Sequence, residues 1–257
     1  MLPKILKPEK EYDLVRLGSI NDGGYLVDIN SIKKSKALVS FGLGFNWSFE
    51  ESFTKINPVI VHCYDYYIKP SHIKKHSLKS LLNFFNLKNY SINFFKSNIS
   101  RLFLYKNYKS FFCGFKQHFR KSLGIGPNLI RLTDALLNTN SDKIFLKIDI
   151  EGSEYRVLYD ILENQSKLTG LVIEFHNLDL HLNEVINFIK NFKLKLVHIH
   201  GQNPGGKNFL DKKGDPTLIE LTFAENPIIK GDKVILPHRF DYPSDPRFDE
   251  VKLVFEN

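Results

Sequence analysis

Six short apolar runs punctuate the chain, each closed by polar or turn residues. They are Ala37 to Phe41 (ALVSF), Val59 to Tyr64 (VIVHCY), Ile144 to Ile148 (IFLKI), Leu171 to Phe175 (LVIEF), Leu194 to Ile199 (LKLVHI) and Leu218 to Phe223 (LIELTF). Runs of this length, rich in β-branched and aromatic residues, read as buried strands. Between them, apolar positions recur at helical spacing. Ser153 to Glu163 places Tyr155, Leu158, Tyr159 and Leu162 on one face, and Leu182 to Phe192 does the same with Val185, Ile186, Ile189 and Phe192. Ser48 to Lys55 predicts a helix opened by a Ser48–Glu51 capping box, and Thr133 opens a shorter one. Leu78 to Leu87 and Asn98 to Tyr108 also read as helical, with a short strand near Ser110 to Phe115 and a loop at Gly124, Gly126 and Pro127.

Strands alternating with helices predict a doubly covered, mainly parallel sheet. The join between the last two strands, HGQNPGGKNFLDKKGDP, is polar and Gly-rich with no helical period. It predicts a hairpin-like return and hence an antiparallel last strand. The expected organisation is one domain over 1–257, with 70–130 as an insertion or cap. A C-terminal extension over 237–257 wraps the surface.

Composition adds two constraints. The chain is 42% hydrophobic, enough for a full core, and its two cysteines, Cys63 and Cys113, form no CxxC pair. That argues against a structural zinc site or a disulfide framework and fits a reducing cytoplasm. Met1 to Glu11 lacks the apolar stretch of a signal peptide, and no run of ~18 apolar residues occurs. The expected location is cytoplasmic, peripheral to the inner membrane face. The net charge of +8 is confined to one stretch. Ser71 to Ile130 holds nine Lys, two Arg, nine Phe and three Tyr with no Asp or Glu, leaving 25 basic against 28 acidic residues elsewhere. Two readings follow: solvated helix faces, or a basic, aromatic-studded surface for an anionic partner such as a membrane face, a phosphorylated glycan or nucleic acid.

In an open parallel sheet, ligands bind beyond the carboxyl ends of the strands. After the first run come Gly42, Leu43, Gly44, Phe45 and Asn46, and the second ends in Asp65. A strand, a GxG turn, a helix, a strand and then an acid is the order that nucleoside binding uses, the carboxylate accepting both ribose hydroxyls. Trp47 stands where a dinucleotide fingerprint wants a third glycine, which favours a cofactor without phosphates. The third run leads into Asp149, Glu151 and Glu154 (KIDIEGSEY), the fourth into Glu174 and His176, the fifth into His198, His200, Gln202 and Asn203. Carboxylates clustered at a strand end can bind a sulfonium-bearing amino acid, hold a divalent metal or act as a base. Glu154 reads as a helix N-terminal acid favoured by the dipole. His176 and His200 are expected at one rim, either serving as base, with Asp149, Glu174 and His176 as a candidate set for a divalent metal such as Mg. The NDGG run, Asn21 to Gly24, reads as a tight turn.

The run FLKIDIEGSEYRVL (Phe145 to Leu158) resembles the signature of the FkbM-type methyltransferases. Similar to one branch of them are RLGSINDGGYLV, VSFGLGFNWSFEESF, LVIEFH, VHIHGQN followed by LIELTF, and LPHRFDYPSDPRFDEVKLVFE. The resemblance spans nearly all the chain except about 70–115. It implies a Rossmann-like, seven-stranded class I methyltransferase fold and S-adenosylmethionine-dependent O-methylation of sugars in surface polysaccharides or natural products. By position it implies Gly42 and Gly44 at the cofactor's amino-acid end, Asp65 at its ribose, Asp149 near the transferred methyl, and NDGGY at the cofactor or acceptor rim. Asn46 replaces a glycine common in methyltransferases and Phe41 an acid, so the amino-acid end is expected to be held with help from Glu50.

The expected reaction is methyl transfer to a sugar or glycan hydroxyl, with His176, then Asp149, as base. The acceptor is read as anionic or lipid-linked, with membrane-surface contact through 70–130. Two rivals are a nucleic-acid methyltransferase that uses the basic stretch, and a non-catalytic nucleoside-binding protein on the same fold. No NPPY-like run or RNA-binding module supports the first of these.

Overall fold

The computed structural model describes residues 1–84, 92–205 and 209–256. Thirteen strands and seven α-helices follow in order among them. They are β1 (Glu11–Tyr12), β2 (Leu14–Gly18), β3 (Gly24–Asp28), α1 (Ile29–Lys34), β4 (Ala37–Phe41), α2 (Ser48–Ile56), β5 (Ile60–Tyr64), α3 (Pro70–Phe84), α4 (Ile92–Phe111) and β6 (Lys116–Phe119). The second half holds β7 (Ser122–Leu123), β8 (Leu129–Ile130), α5 (Leu132–Leu137), β9 (Ile144–Ile148), α6 (Leu158–Asn164), β10 (Leu168–Phe175), α7 (Leu178–Asn191), β11 (Lys195–Gly201), β12 (Ile219–Ala224) and β13 (Ile229–Gly231).

Seven strands form the central sheet in the order β11-β12-β10-β9-β4-β5-β6. The pairs from β10 through β6 are parallel, whereas β12 runs antiparallel to both β10 and β11. The predicted mostly parallel, Rossmann-like sheet with an antiparallel last strand is therefore the fold. The chain begins the sheet at β4, builds outward through β5 and β6, then returns to the other side of β4 with β9. The order reverses between β4 and β9, and there the connections leave toward opposite edges and open a crevice.

Strand alternation sorts the core into two layers. Ala37, Val39, Phe41, Ile144, Leu146, Ile148, Leu171 and Ile173 face Leu136, Ile161, Val185 and Phe188 of α5, α6 and α7. Leu38, Val61, Cys63, Phe145 and Val172 face the other way, against Ile32, Phe49, Phe53, Tyr25, Ile73, Tyr108 and Phe111. At about 1.5–3 kcal/mol per fully buried large apolar side chain, these layers dominate the folding energy. The β2–β3 hairpin lies outside the central sheet and packs on this second face, where the Thr222 hydroxyl donates to the Leu26 carbonyl at 2.8 Å.

Local departures from the sequence reading have physical causes. The capping box at α2 is absent. Trp47 is the N-cap, the Ser48 amide and hydroxyl donate to Asn46 Oδ1, and Glu51 instead accepts from the Trp47 indole at 3.1 Å. The helix predicted from Ser153 begins as a 3-10 turn over Glu154–Val157. The helix predicted from Leu78 starts at Pro70, and its predicted end, 85–87, lies outside the described residues. Ser110 and Phe111 end α4 rather than opening a strand, and the strand follows at Lys116. The tail contacts β11 and the loop after it through Asp241 on His198, Glu250 on His200 and Ser244 on Asn203, and its apolar end bridges Leu2 at Phe255.

Candidate functional site

The crevice at the β4–β9 reversal contains a cavity of about 600 Å³, within the range of small-molecule sites. Its walls come from the carboxyl ends of β4, β5 and β9 and from the 122–129 loop. They include Gly42, Asp65, Tyr66, Leu123, Asp149 and Glu151. Gly42 has φ +80°, and a Cβ there would lie 1.5 Å from the Asp149 carbonyl oxygen. Only glycine lets these two strand ends meet.

Asp65 organises the loop opposite. Its Oδ2 accepts from the Leu43 and Gly44 amides at 3.2 and 3.0 Å, and its Oδ1 from the Tyr67 and Ile68 amides at 2.8 and 3.1 Å. Gly44 therefore holds the loop through its N–H. Asn46 braces the same loop on Ser19 and the Asp22 carbonyl of the β2–β3 turn. Arg16 donates to the carbonyls of Ser19, Ile20 and Asn21 and shapes that turn beside the loop.

Glu50 does not line the cavity. It is buried beneath the loop, accepts from the Ser40 hydroxyl at 2.5 Å, and its other oxygen has no partner among the described residues. Burial pushes its carboxyl above the usual range, against the pull of Lys147. A direct contact from Glu50 to a ligand in the cavity is thus corrected to support from below.

Lys147 is the side chain that the strand reading passed over. It projects into the second layer with its ammonium donating to the Gly42 carbonyl at 3.1 Å, 3.9 Å from Asp149. Burial lowers its pKa, but Asp149, Glu50 and Glu174 together raise it further. Tyr25, from the hairpin, completes the group, with its hydroxyl 3.1 Å from Asp149 and 3.3 Å from Glu174. Burial, with Asp149 and Glu220 beside it, pushes Glu174 well above the ordinary carboxylate range. The Tyr25 hydroxyl is the donor toward both carboxyls and has one proton to share between Asp149 and Glu174.

His176 closes the other wall. Its Nδ1 donates to Glu154 Oε1 at 3.0 Å, and its Nε2 lies 3.3 Å from Glu151 and 3.8 Å from Glu174. Burial works against its charged form, but Glu154, Asp149 and Glu151 outweigh burial and raise its pKa. Glu154 is fully buried and also accepts from the Ile150 and Gly152 amides. It is thus more than a helix N-terminal acid, because it sets the orientation of His176. Glu151 and Asn177, next to these groups, adopt left-handed backbone with φ +56° and +53°, a conformation that non-glycine residues avoid.

His176 and His200 lie at the carboxyl ends of β10 and β11, which run in the same direction with β12 between them. His200 is buried between Glu220 (3.3 Å) and Glu250 of the tail (2.8 Å), which together hold its pKa at about 10 despite burial. The metal set changes: donor atoms of Asp149, Glu151 and His176 lie within 4.8 Å of one another, with Glu151 in place of Glu174. Two carboxylates and an imidazole suit a hard or borderline divalent ion, and the Glu154–His176 bond supplies the outer partner that a ligating histidine needs.

No family model and no curated protein matches the chain. Among solved structures it is similar to the delta-N METTL16 MTase domain, at 10% identity over 77% of this chain and 80% of that one, with a TM-score of 0.38. It is also similar to the Methanococcus jannaschii fibrillarin pre-rRNA processing protein (10% identity, 85% and 84% covered, TM-score 0.35). A third is the 30S ribosomal A1408 methyltransferase from an uncultured bacterium (15%, 82% and 100%, 0.32). At these scores the fold of this chain rests on its own strand order.

Proposed function

We propose that the protein transfers a methyl group from S-adenosylmethionine to a hydroxyl oxygen of a sugar or glycan. The observation that carries this reading is the charge at the strand reversal. Asp149 and Glu151 line one end of the cavity, and Glu50 and Glu51 occupy the first turn of α2. In a dinucleotide-binding sheet that helix start receives a pyrophosphate. Here its acids repel one, while a carboxylate-rich end suits the sulfonium and ammonium charges of S-adenosylmethionine.

In this reading the 122–129 loop and Asp65 flank the nucleoside, and its ribose hydroxyls displace the Leu43 and Gly44 amides from Asp65. Asp149 lies beside the sulfonium. His176, aligned by Glu154, accepts the acceptor proton at Nε2 once deprotonated, and the enzyme otherwise works by aligning methyl and oxygen. In the alternative arrangement, Asp149, Glu151 and His176 Nε2 would hold a divalent ion that lowers the pKa of the acceptor hydroxyl, and His176 would then not act as the base. The resemblance to FkbM-type proteins supplies the sugar as acceptor class.

Calorimetry with S-adenosylmethionine and with NAD tests the reading. Binding of S-adenosylmethionine, lost in Asp149→Ala, is expected. Binding of NAD alone, or near-normal methyl transfer by Asp149→Ala, would overturn it.

A further inference from the structure

Helices α3 and α4 stand between β5 and β6 as a packed pair, and the site described above does not use their outer faces. Their inner faces are conventional. Ile73, Ser77 and Ser80 are buried on α3, Tyr108 and Phe111 on α4, and the Tyr105 amide donates to the Ser77 hydroxyl at 3.0 Å. Trp47 meets the Tyr108 ring and Phe45 the His76 ring, so the pair is rooted on the loop that borders the cavity.

The outer faces are not conventional. On α3, Lys74, Lys75, Leu78 and Lys79 are exposed together. On α4, Ile99, Phe103 and Lys106 follow one another at helical spacing and are all exposed, with Lys109 alongside. Leu78 and Phe103 leave 58% and 48% of their surface in water. None of these cations makes an ion pair among the described residues, and no Asp or Glu occurs between Ser71 and Ile130.

We propose that this face docks on an anionic lipid bilayer. Lysines near such a surface each contribute about 1 kcal/mol, roughly fivefold in affinity. Exposed apolar side chains gain a second, charge-independent contribution by entering the acyl boundary. A phosphate backbone rewards only the cations. Two of the three exposed apolar side chains, Leu78 and Ile99, are aliphatic and offer a nucleic-acid base no stacking platform, which leaves Phe103 alone to stack. A second copy docked face to face would bring the same acid-free faces together and repel itself.

Co-sedimentation of the full protein with vesicles tests this. Binding to 3:1 phosphatidylcholine:phosphatidylglycerol vesicles is expected to exceed binding to pure phosphatidylcholine and to weaken steeply between 0.1 and 0.5 M salt. The triple variant Lys74→Gln, Lys75→Gln, Lys79→Gln should bind the anionic vesicles about a hundredfold more weakly, from the fivefold per lysine above. Leu78→Asn with Phe103→Asn, at unchanged charge, should also weaken binding. All substituted positions are exposed, and unaltered thermal melting controls for folding. Equal affinity for both vesicle types overturns the proposal. So does RNA binding lost in the lysine variant without any vesicle binding, or self-association lost in the Leu78/Phe103 variant without any vesicle binding.

Discussion

The clamp around His200 makes a quantitative prediction about stability. His200 is 3% exposed and sits between Glu220 and Glu250, which raise its pKa from 6.5 to about 10. At ~1.4 kcal/mol per tenfold change in proton affinity, this corresponds to about 5 kcal/mol of preference for the folded, protonated state. Glu220 is itself pushed up by burial and returns part of that, so about 3–5 kcal/mol is the expected cost of breaking the cluster. The sign follows from the direction of the shift. A histidine raised by folding stabilises fully below pH 6.5, and that contribution fades as pH rises through about 10. His200→Gln should therefore be about 3–5 kcal/mol less stable than the parent at pH 6.5. The gap should close by about 1.4 kcal/mol per pH unit toward pH 10. Urea denaturation of both proteins at pH 6.5, 8 and 9.5 measures it, and groups common to both cancel. A gap that stays constant with pH, or is under about 1 kcal/mol at pH 6.5, would refute the reasoning.

Other outcomes follow from the cavity walls. Gly42→Ala should abolish S-adenosylmethionine binding by calorimetry. It should also lower stability by at least ~1–2 kcal/mol, because alanine at φ +80° is strained even before its Cβ meets Asp149. Glu154→Gln removes the charge that holds a proton on His176, so the rising limb of kcat/KM against pH should move to lower pH; an unmoved limb would place the base elsewhere. Mn²⁺ should bind with broadening of the His176 ring resonances, and Asp149→Asn should weaken it at least ~10-fold. Equal Mn²⁺ affinity in that variant would remove the ion from this cluster.

Much of the sheet was legible because buried strands cannot hide. Ala37–Phe41 and Ile144–Ile148 have the predicted limits, and the polar 200–216 loop announced the antiparallel return. The site was legible where chemistry sits at a strand's end, as with Gly42, Asp65, Asp149 and His176. Two kinds of residue escaped. Lys147 lies inside an apolar run, and its charge is tolerable only because Asp149, Glu50 and Glu174 surround it in space. Tyr25 reaches Asp149 from 124 residues away on a hairpin that looked like a mere turn. The His200 clamp is equally hidden in the sequence, because its partner Glu250 lies in the tail, 50 residues on. A period-2 pattern states which face a side chain takes, and nothing about what covers that face.

The left-handed backbone at Glu151 and Asn177 sets stability against use. Glycine at 151 would relax a conformation that costs a side chain about 1–2 kcal/mol, less the entropy glycine loses on folding. A lineage or a laboratory selection that rewards only robustness would drift toward glycine there. It would discard the one carboxylate of the Asp149, Glu151 and His176 group that projects into solvent. Retention of an acid at this position under such pressure would itself report that the charge is in use.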